Sequence, residues 1–304
     1  MFAPIVFFTY KRLTSVQKVI ASLQKCQYVD QTEIYIFSDG PKTRAEVDKV
    51  NAVREYLRTI KGFKKVVLKF SDVNKGLATS IIEGITNIFQ DNEAVIVLED
   101  DLVVSKNFLA YMNQGIDYYK YNKKIFSISG YNIPMKVSSS YPYDIYLTYR
   151  SSSWGWASWR DRWETIDWEV KDYDEFRRSK DLKKAFNKGG SDLTRMLRRQ
   201  RMGQVNSWAI RWCYHQFKTN TYCVYPIVSK VKNIGFDITA SNSNSYDRYN
   251  SPIDVSDKTQ FKFLPEVKQD ATLQKKFSNF YSIRSRIIGR LKTYLFRGGF
   301  LSNR

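Results

Sequence analysis

Histidine is almost missing from this 304-residue chain. The one imidazole, His215, excludes a multi-histidine zinc centre and an HExxH metalloprotease site. It sits inside WAIRWCYHQF and reads as a core or hydrogen-bonded residue. No GxSxG turn accompanies it, so a serine–histidine hydrolase lacks support. The three cysteines, Cys26, Cys213 and Cys223, are odd in number and show no CxxC spacing. They read as reduced thiols of a cytosolic protein, not as a disulfide framework. Glycine (14) and proline (7) are too few for a fibrous or low-complexity chain. Neither GxxxxGKS/T nor GxGxxG occurs, which removes the P-loop and dinucleotide-fold readings. No apolar run reaches the roughly 18 residues that a membrane span needs. Met1 to Val6 reads as the start of a strand, without the charged and apolar regions of a signal peptide.

What the chain has in excess is positive charge. Lys plus Arg is 49 against 30 for Asp plus Glu, a formal +19, so an anionic partner is expected. Apolar residues, at 43%, suffice for a real core. No acid follows Asp270, whereas Lys275, Lys276, Arg284, Arg286, Arg290, Lys292, Arg297 and Arg304 do. Among them Phe277, Phe280, Tyr281, Ile283, Ile287, Ile288, Leu291, Tyr294 and Leu295 recur at helical spacing. The pattern predicts a cationic amphipathic tail over 271–304, lying on an anionic membrane. The alternative is a helix packed on the body with its arginines solvated.

The first third alternates strands and helices. Apolar runs at 4–9, 34–37, 65–70 and 94–98 predict strands, and 14–23, 46–60 and 75–89 predict helices between them. This order implies a mixed, mostly parallel α/β sheet with right-handed crossovers. Beyond it, 108–119 and 208–217 read as helices, and 125–128 and 223–229 as strands. The segment 141–168, dense in Tyr, Trp, Ser and Gly, suits irregular structure around a cleft. Residues 173–202 read as helical with a break at Gly189-Gly190, and 242–256, rich in Ser, Asn, Tyr and Asp, as a mobile loop or linker.

Glu99, Asp100 and Asp101 follow directly on the apolar strand AVIVL. Ligands of open α/β sheets sit at the carboxyl ends of strands. Adjacent carboxylates there repel one another unless a cation or ligand hydroxyls satisfy them. Their hard oxygens suit Mg2+ or Mn2+ holding a diphosphate; the plain alternative is a solvated acidic turn. Thr9, Tyr10, Lys11 and Arg12 end the first strand and suit a base and a pyrophosphate, or form an exposed basic loop. Asp39 ends the second strand, where it accepts from a nucleotide or caps the Gly40-Pro41 turn. Asn74-Lys75-Gly76 opens a helix whose N–H groups favour anions, and Ser80 on that helix is counted with Lys75.

These residues together resemble the nucleotide-sugar site of GT-A fold glycosyltransferases. AVIVLEDDLVVSKNFLAYM carries the resemblance, followed in order by YRSSSWGWASW, VNSWAIRW and KVKNIGFD. The acidic triplet is most similar to that of the N-acetylglucosaminyltransferase I type, and the whole resembles bacterial family 2 glycosyltransferases of polysaccharide assembly. The resemblance implies that Arg12 and Asp39 contact the nucleotide, most simply UDP. Asp101 would be the metal ligand, with Glu99 and Asp100 on ribose or donor-sugar hydroxyls. Arg150 and Trp154-Gly155-Trp156 would floor the donor sugar and acceptor, since indole faces suit a pyranose. Inverting relatives place an acidic base before a tryptophan. This chain has Asn206 and Trp208 there, and Asn206 cannot take a proton as a carboxylate does. Asp237, Asp161 and Asp192 are the substitute candidates, Asp237 first.

The expectation is therefore a metal-dependent hexosyl- or N-acetylhexosaminyltransferase, peripheral on the inner face of the cell membrane. It would pass a sugar from a nucleotide-sugar donor to a saccharide or lipid-linked acceptor. The catalytic domain would span 1–245, with a nucleotide half to about 105 and an acceptor half from 106. Residues 246–270 would be a linker or loop and 271–304 the tail. A sugar nucleotidyltransferase is the enzyme alternative, though PIVFFTYKR lacks its glycine-rich loop. A nucleic-acid-binding protein is the other, without RRM, KH or zinc-finger signatures.

Overall fold

Four apolar strands pair side by side because helices cover both of their faces. The computed structural model describes residues 2–235 and 247–297. Its strands are β1 (Ile5–Thr9), β2 (Glu33–Ser38), β3 (Lys65–Phe70), β4 (Ala94–Glu99), β5 (Leu102–Val104), β6 (Ile125–Ser129), β7 (Ile145–Thr148), β8 (Trp156–Trp159), β9 (Tyr222–Pro226) and β10 (Val231–Asn233). Its α-helices are α1 (Leu13–Leu23), α2 (Val47–Arg58), α3 (Leu77–Ile88), α4 (Phe108–Tyr119), α5 (Arg160–Trp163), α6 (Tyr173–Arg178), α7 (Lys180–Phe186), α8 (Leu193–Arg201), α9 (Trp208–Lys218), α10 (Ala271–Phe280) and α11 (Ile283–Arg297).

The main sheet has eight strands in the order β3-β2-β1-β4-β8-β6-β9-β7. The first four are mutually parallel, β8 is antiparallel to both β4 and β6, and β6 pairs parallel with β9. This is the mixed, mostly parallel, helix-flanked α/β sheet expected from the sequence. Alternate residues of β1 feed two cores. Ile5 and Phe7 pack with α1, α2 and α4, while Val6 and Phe8 pack with α3 and α9. Burial on both faces is why these strands are continuously apolar instead of alternating.

Three expectations need correction. The aromatic segment 141–168 is not irregular throughout: it contains β7, β8 and α5. Gly155 makes this possible. Its φ is +58°, and a Cβ there would stand 2.6 Å from Val231 Cγ2, so the tight turn into β8 requires glycine. The described part of the expected linker or loop, 247–270, is a packed strap, which is the loop and not the linker. Phe263 is buried in the main core, Lys262 N donates to Asp144 Oδ2 at 2.7 Å, and Lys230 pairs with Asp254 beneath the surface. The break at Gly189-Gly190 is present, and a second at Ser179 separates α6 from α7.

The third correction concerns the tail. Its first half is core: Leu273, Phe277 and Tyr281 pack under Tyr146 and Tyr225 of the sheet. Phe277 is fully buried. The Asp270 side chain caps α10 by accepting from Leu273 N at 2.8 Å. Only α11 stands outside this packing.

Two outcomes follow from the strap and from α10. Phe277→Ala lowers stability by about 3–5 kcal/mol, so a chain ending at Asp270 melts well below one ending at Ser282. Thermal melts of the two truncations check this. At Asp254, burial raises the carboxyl's pKa, but Lys230, the Asn107 amide and the Ser256 N–H outweigh it and hold it at about 2. An unfolded aspartate titrates at about 3.9. A carboxyl lowered on folding adds stability that is complete above the unfolded value and is lost as pH falls through the folded one. Stability in urea should therefore decline from about pH 4 towards pH 2. Asp254→Asn removes that part of the slope and costs about 3–5 kcal/mol at neutral pH, because Lys230 is left buried and unpaired.

Candidate active site

The strand order reverses between β1 and β4. Strands β1, β2 and β3 run one way across the sheet, and β4 lies on the other side of β1. In open α/β sheets the crevice at such a point, beyond the carboxyl ends of the strands, is where ligands bind. Here a cleft of about 780 Å³ opens there. Its walls come from the ends of β1, β2, β3 and β4, and its far side from α3.

The sequence candidates from this region come together. Thr9, Tyr10, Arg12, Asp39, Lys75, Ser80, Glu99 and Asp100 all line the cleft. Arg12 crosses the switch point. Its guanidinium pairs with Asp100 and lies 3.1 Å from Asp101 Oδ2, while Tyr10 N donates to Asp100 Oδ2 at 3.3 Å. Asp100 is nearly inaccessible, and Arg12 and Asp101 are more open. Burial, then the Asp101 and Asp100 charges, pushes the Glu99 carboxyl up to about 8. Burial also raises the Asp100 carboxyl, against the opposing pull of Arg12.

Asp39 organises the opposite wall. Its Oδ1 accepts from Gly40 N and Lys75 N, and its Oδ2 from Gly76 N, each at 2.9 Å. The carboxylate thus fastens the β2 turn to the start of α3. Gly40 permits this closeness, because a Cβ there would stand 2.5 Å from the Val73 carbonyl carbon. The Lys75 ammonium reaches Glu83 at 2.7 Å on the cleft wall. Thr9 is buried and donates to the Phe37 carbonyl, so it holds β1 to β2.

Two supporting residues escaped the sequence reading. Glu46 accepts from Tyr10 Oη at 2.6 Å and pairs with Lys11, and these partners hold its carboxyl at about 2. Arg54 donates to the carbonyls of Ser38, Asp39 and Ser71, tying the ends of β2 and β3 together. Each stands in an ordinary charged stretch of α2 or the turn before it, where no motif sets it apart.

The remaining candidates separate. Arg150 and Trp154 line a second hollow, of about 180 Å³, with Tyr131, Ser152, Tyr249 and Tyr281. Arg150 is committed to Asp192 through two bonds, at 2.9 and 3.0 Å, and lies over the Tyr281 ring. Asp192 is therefore an ion-pair partner and not an open base. Trp156 and Trp208 are core: they are 1% and 3% exposed, packed with Trp212. That removes Trp156 from the expected sugar floor. Asn206 is exposed just before α9 and accepts from Arg211. Asp161 lies beyond Trp159, which pairs with Ala94 at the start of β4, the end of the sheet away from the cleft. It is tied to Lys123 and Arg162. Asp237 lies outside the described residues, but Gly235 is placed. A Cβ on Gly235 would stand 2.6 Å from Asp101 Oδ2, and Ile234 N donates to the Asp101 carbonyl at 2.8 Å. Among the described residues no three carboxylate, imidazole or thiol groups stand together to cage an ion.

Residues 5–131 match the family model described as Glycosyl transferase family 2. No curated protein matches the sequence significantly. Three similar solved structures are remote. The mannosyltransferase PcManGT from Pyrobaculum calidifontis, in complex with GDP-Man and Mn2+, is 12% identical, with a TM-score of 0.37, over 53% of this chain and 46% of its own. S. aureus TarS is 14% identical, with a TM-score of 0.38, over 55% of this chain and 30% of its own. The TarS 1-349 fragment is 11% identical, with a TM-score of 0.43, over 78% of this chain and 61% of its own. The chain thus spans less than two thirds of each. The family match from 5 to 131 contains every residue that lines the larger cleft.

Proposed function

We propose that the protein transfers a hexosyl or N-acetylhexosaminyl group from a nucleoside-diphosphate sugar to a saccharide or lipid-linked acceptor, as in bacterial surface-polysaccharide synthesis. UDP is the proposed nucleotide. The observation that carries this reading is the cleft at the switch point, with Arg12 bridged to Asp100 and Asp101 across it. The family match over the same residues supports it. Asp39 and the Tyr10 ring would bound the nucleoside. Arg12, Lys11 and the N–H groups at the start of α3 would face the diphosphate.

The donor chemistry of the acidic turn fits Mn2+ or Mg2+. Such ions are commonly held by one or two carboxylates, with substrate phosphates and water completing the shell. Asp101 is the proposed ligand, and it is the most open of the two aspartates that Arg12 holds. When bound, the cation would offset charge on the departing diphosphate. Glu99 and Asp100 would hold donor hydroxyls.

In the transfer, the bond between the sugar's anomeric carbon and the diphosphate oxygen breaks. A bond from an acceptor hydroxyl oxygen to that carbon forms. The diphosphate leaves with the electron pair, and the hydroxyl proton passes to a base. Asp237 is the proposed base, because Gly235, two residues earlier, lies against Asp101. The second hollow, with Trp154 and Ser152, is the proposed acceptor side.

UDP with Mn2+ should raise the melting temperature, by about 2.7 kcal/mol of stabilisation at a hundredfold excess over Kd. A single-stranded oligonucleotide should not. Asp101→Ala should abolish the metal-dependent part of that shift and lower donor hydrolysis by about 10²–10³-fold. Wild-type hydrolysis in EDTA would overturn the metal assignment, and stabilisation by the oligonucleotide alone would overturn the donor. For the base, Asp237→Asn should cost about 10²–10⁴-fold in turnover. Asp161→Asn, at the wrong end of the sheet, should leave turnover at the wild-type level. Equal effects from the two would remove Asp237 from the mechanism.

A further inference from the structure

Helix α11 presents its apolar side to solvent. At about 100° per residue, Ile283, Tyr294, Ile287, Leu291, Leu295 and Ile288 fall within an arc of about 140°. All six are exposed, from 42% to 76%. The half-buried face is the small polar one, with Ser285, Gly289 and Thr293. A helix that only packs on a globular body does the reverse.

This orientation is held by hydrogen bonds. Arg248 Nη2 donates to Ser285 Oγ at 3.1 Å and to the Phe280 carbonyl. Arg286 Nη2 donates to Ser191 Oγ at 2.8 Å. A Cβ on Gly289 would meet Arg248 Cδ at 3.4 Å, so the body comes close on that side. The apolar arc therefore points away from the protein by construction, and it has no cover among the described residues.

Charge selects the occupant. Arg284 lies inside the apolar arc, with Arg290 and Lys292 beside its edges, and no acid follows Asp270 anywhere in the chain. Basic side chains of this length lay their methylene stems on apolar surface and keep their heads at its polar boundary. Two copies of this face would bring like charges together, which argues against self-association. The helix has 15 residues, and no helix among the described residues is long and apolar enough to cross a membrane.

We propose that α11 is a membrane-docking element that lies in the headgroup plane of a bilayer rich in anionic lipid, apolar arc inward. The docking unit is α11 alone, since α10 is committed to the core. This inference is independent of the sugar-transfer reading.

The test is sedimentation of the full chain with vesicles of mixed phosphatidylglycerol and phosphatidylcholine, and with phosphatidylcholine alone. Binding is expected to the mixed vesicles only, and it should weaken as added salt shortens the Debye length below about 8 Å. Leu291→Ser with Tyr294→Ser should abolish binding with the melting temperature unchanged, since both side chains are exposed. Arg284→Gln with Arg290→Gln should lower the partition coefficient by about 30-fold. The proposal is overturned by any of three results. These are undiminished binding of the serine variant, no preference for the mixed vesicles, or a lipid-free dimer that the serine variant splits into monomers.

Discussion

The candidate site depends on one arrangement of charge: three consecutive carboxylates at the end of a buried strand, two of them held by one arginine just past the neighbouring strand. Glu99, Asp100 and Asp101 leave β4 into a partly closed space, where ionised carboxylates repel and are poorly solvated. Arg12 answers two of them, and it can do so because β1 and β4 are parallel neighbours with Phe8 opposite Glu99. The register that brings these strand ends together also opens the crevice between them. Since α1 begins at Leu13, the residue after Arg12, the same ion pair sets where the chain leaves the sheet. Stability and site are coupled at this point: loosening Arg12 leaves Asp100 buried without its cation.

The N-terminal half, with β1 to β4, was legible in the sequence because it is built from short local patterns. Each of β1, β2, β3 and β4 is a bounded apolar run, and the candidates from Thr9 to Asp101 stand at a strand end or at the start of α3, so chain order alone placed them. The second half resisted for a different reason. A tryptophan that fills a core and one that floors a sugar site are the same flat apolar side chain, and spacing does not tell them apart. Trp154 and Trp156 are two residues apart, yet Trp154 lines a hollow and Trp156 lies beneath Trp212. The left-handed turn at Gly155 separates them, and backbone sign is not written in hydropathy.

The same limit explains the tail. Phe277, Phe280 and Tyr281 share the helical spacing of Ile287 and Leu291, so the two helices read as one amphipathic segment. What divides them is long-range: β7 and β9 offer Tyr146 and Tyr225 to α10, and nothing comparable to α11. The segment 247–270 stayed open between loop and linker for a similar reason. Composition does not show that Asp254 and Lys262 reach side-chain and backbone partners more than a hundred residues away.

Both proposals converge on Tyr281. This residue lines the hollow proposed for the acceptor, supports Arg150 from below, and stands two residues before α11. Tyr249, whose ring lies 6.5 Å from that of Tyr281, follows Arg248, whose guanidinium holds α11 in its outward-facing pose. An acceptor that is itself lipid-linked would meet a hollow whose rim and whose membrane contact are joined by two residues of chain. Reorienting α11 at a bilayer would then be felt at Tyr281, hence at Arg150 and Asp192. Under the two proposals the excess positive charge has two separate tasks. Arg12 and Lys11 line the cleft at the switch point, Arg284 and Arg290 face outward on α11, and the aromatic hollow meets the second set through Tyr281.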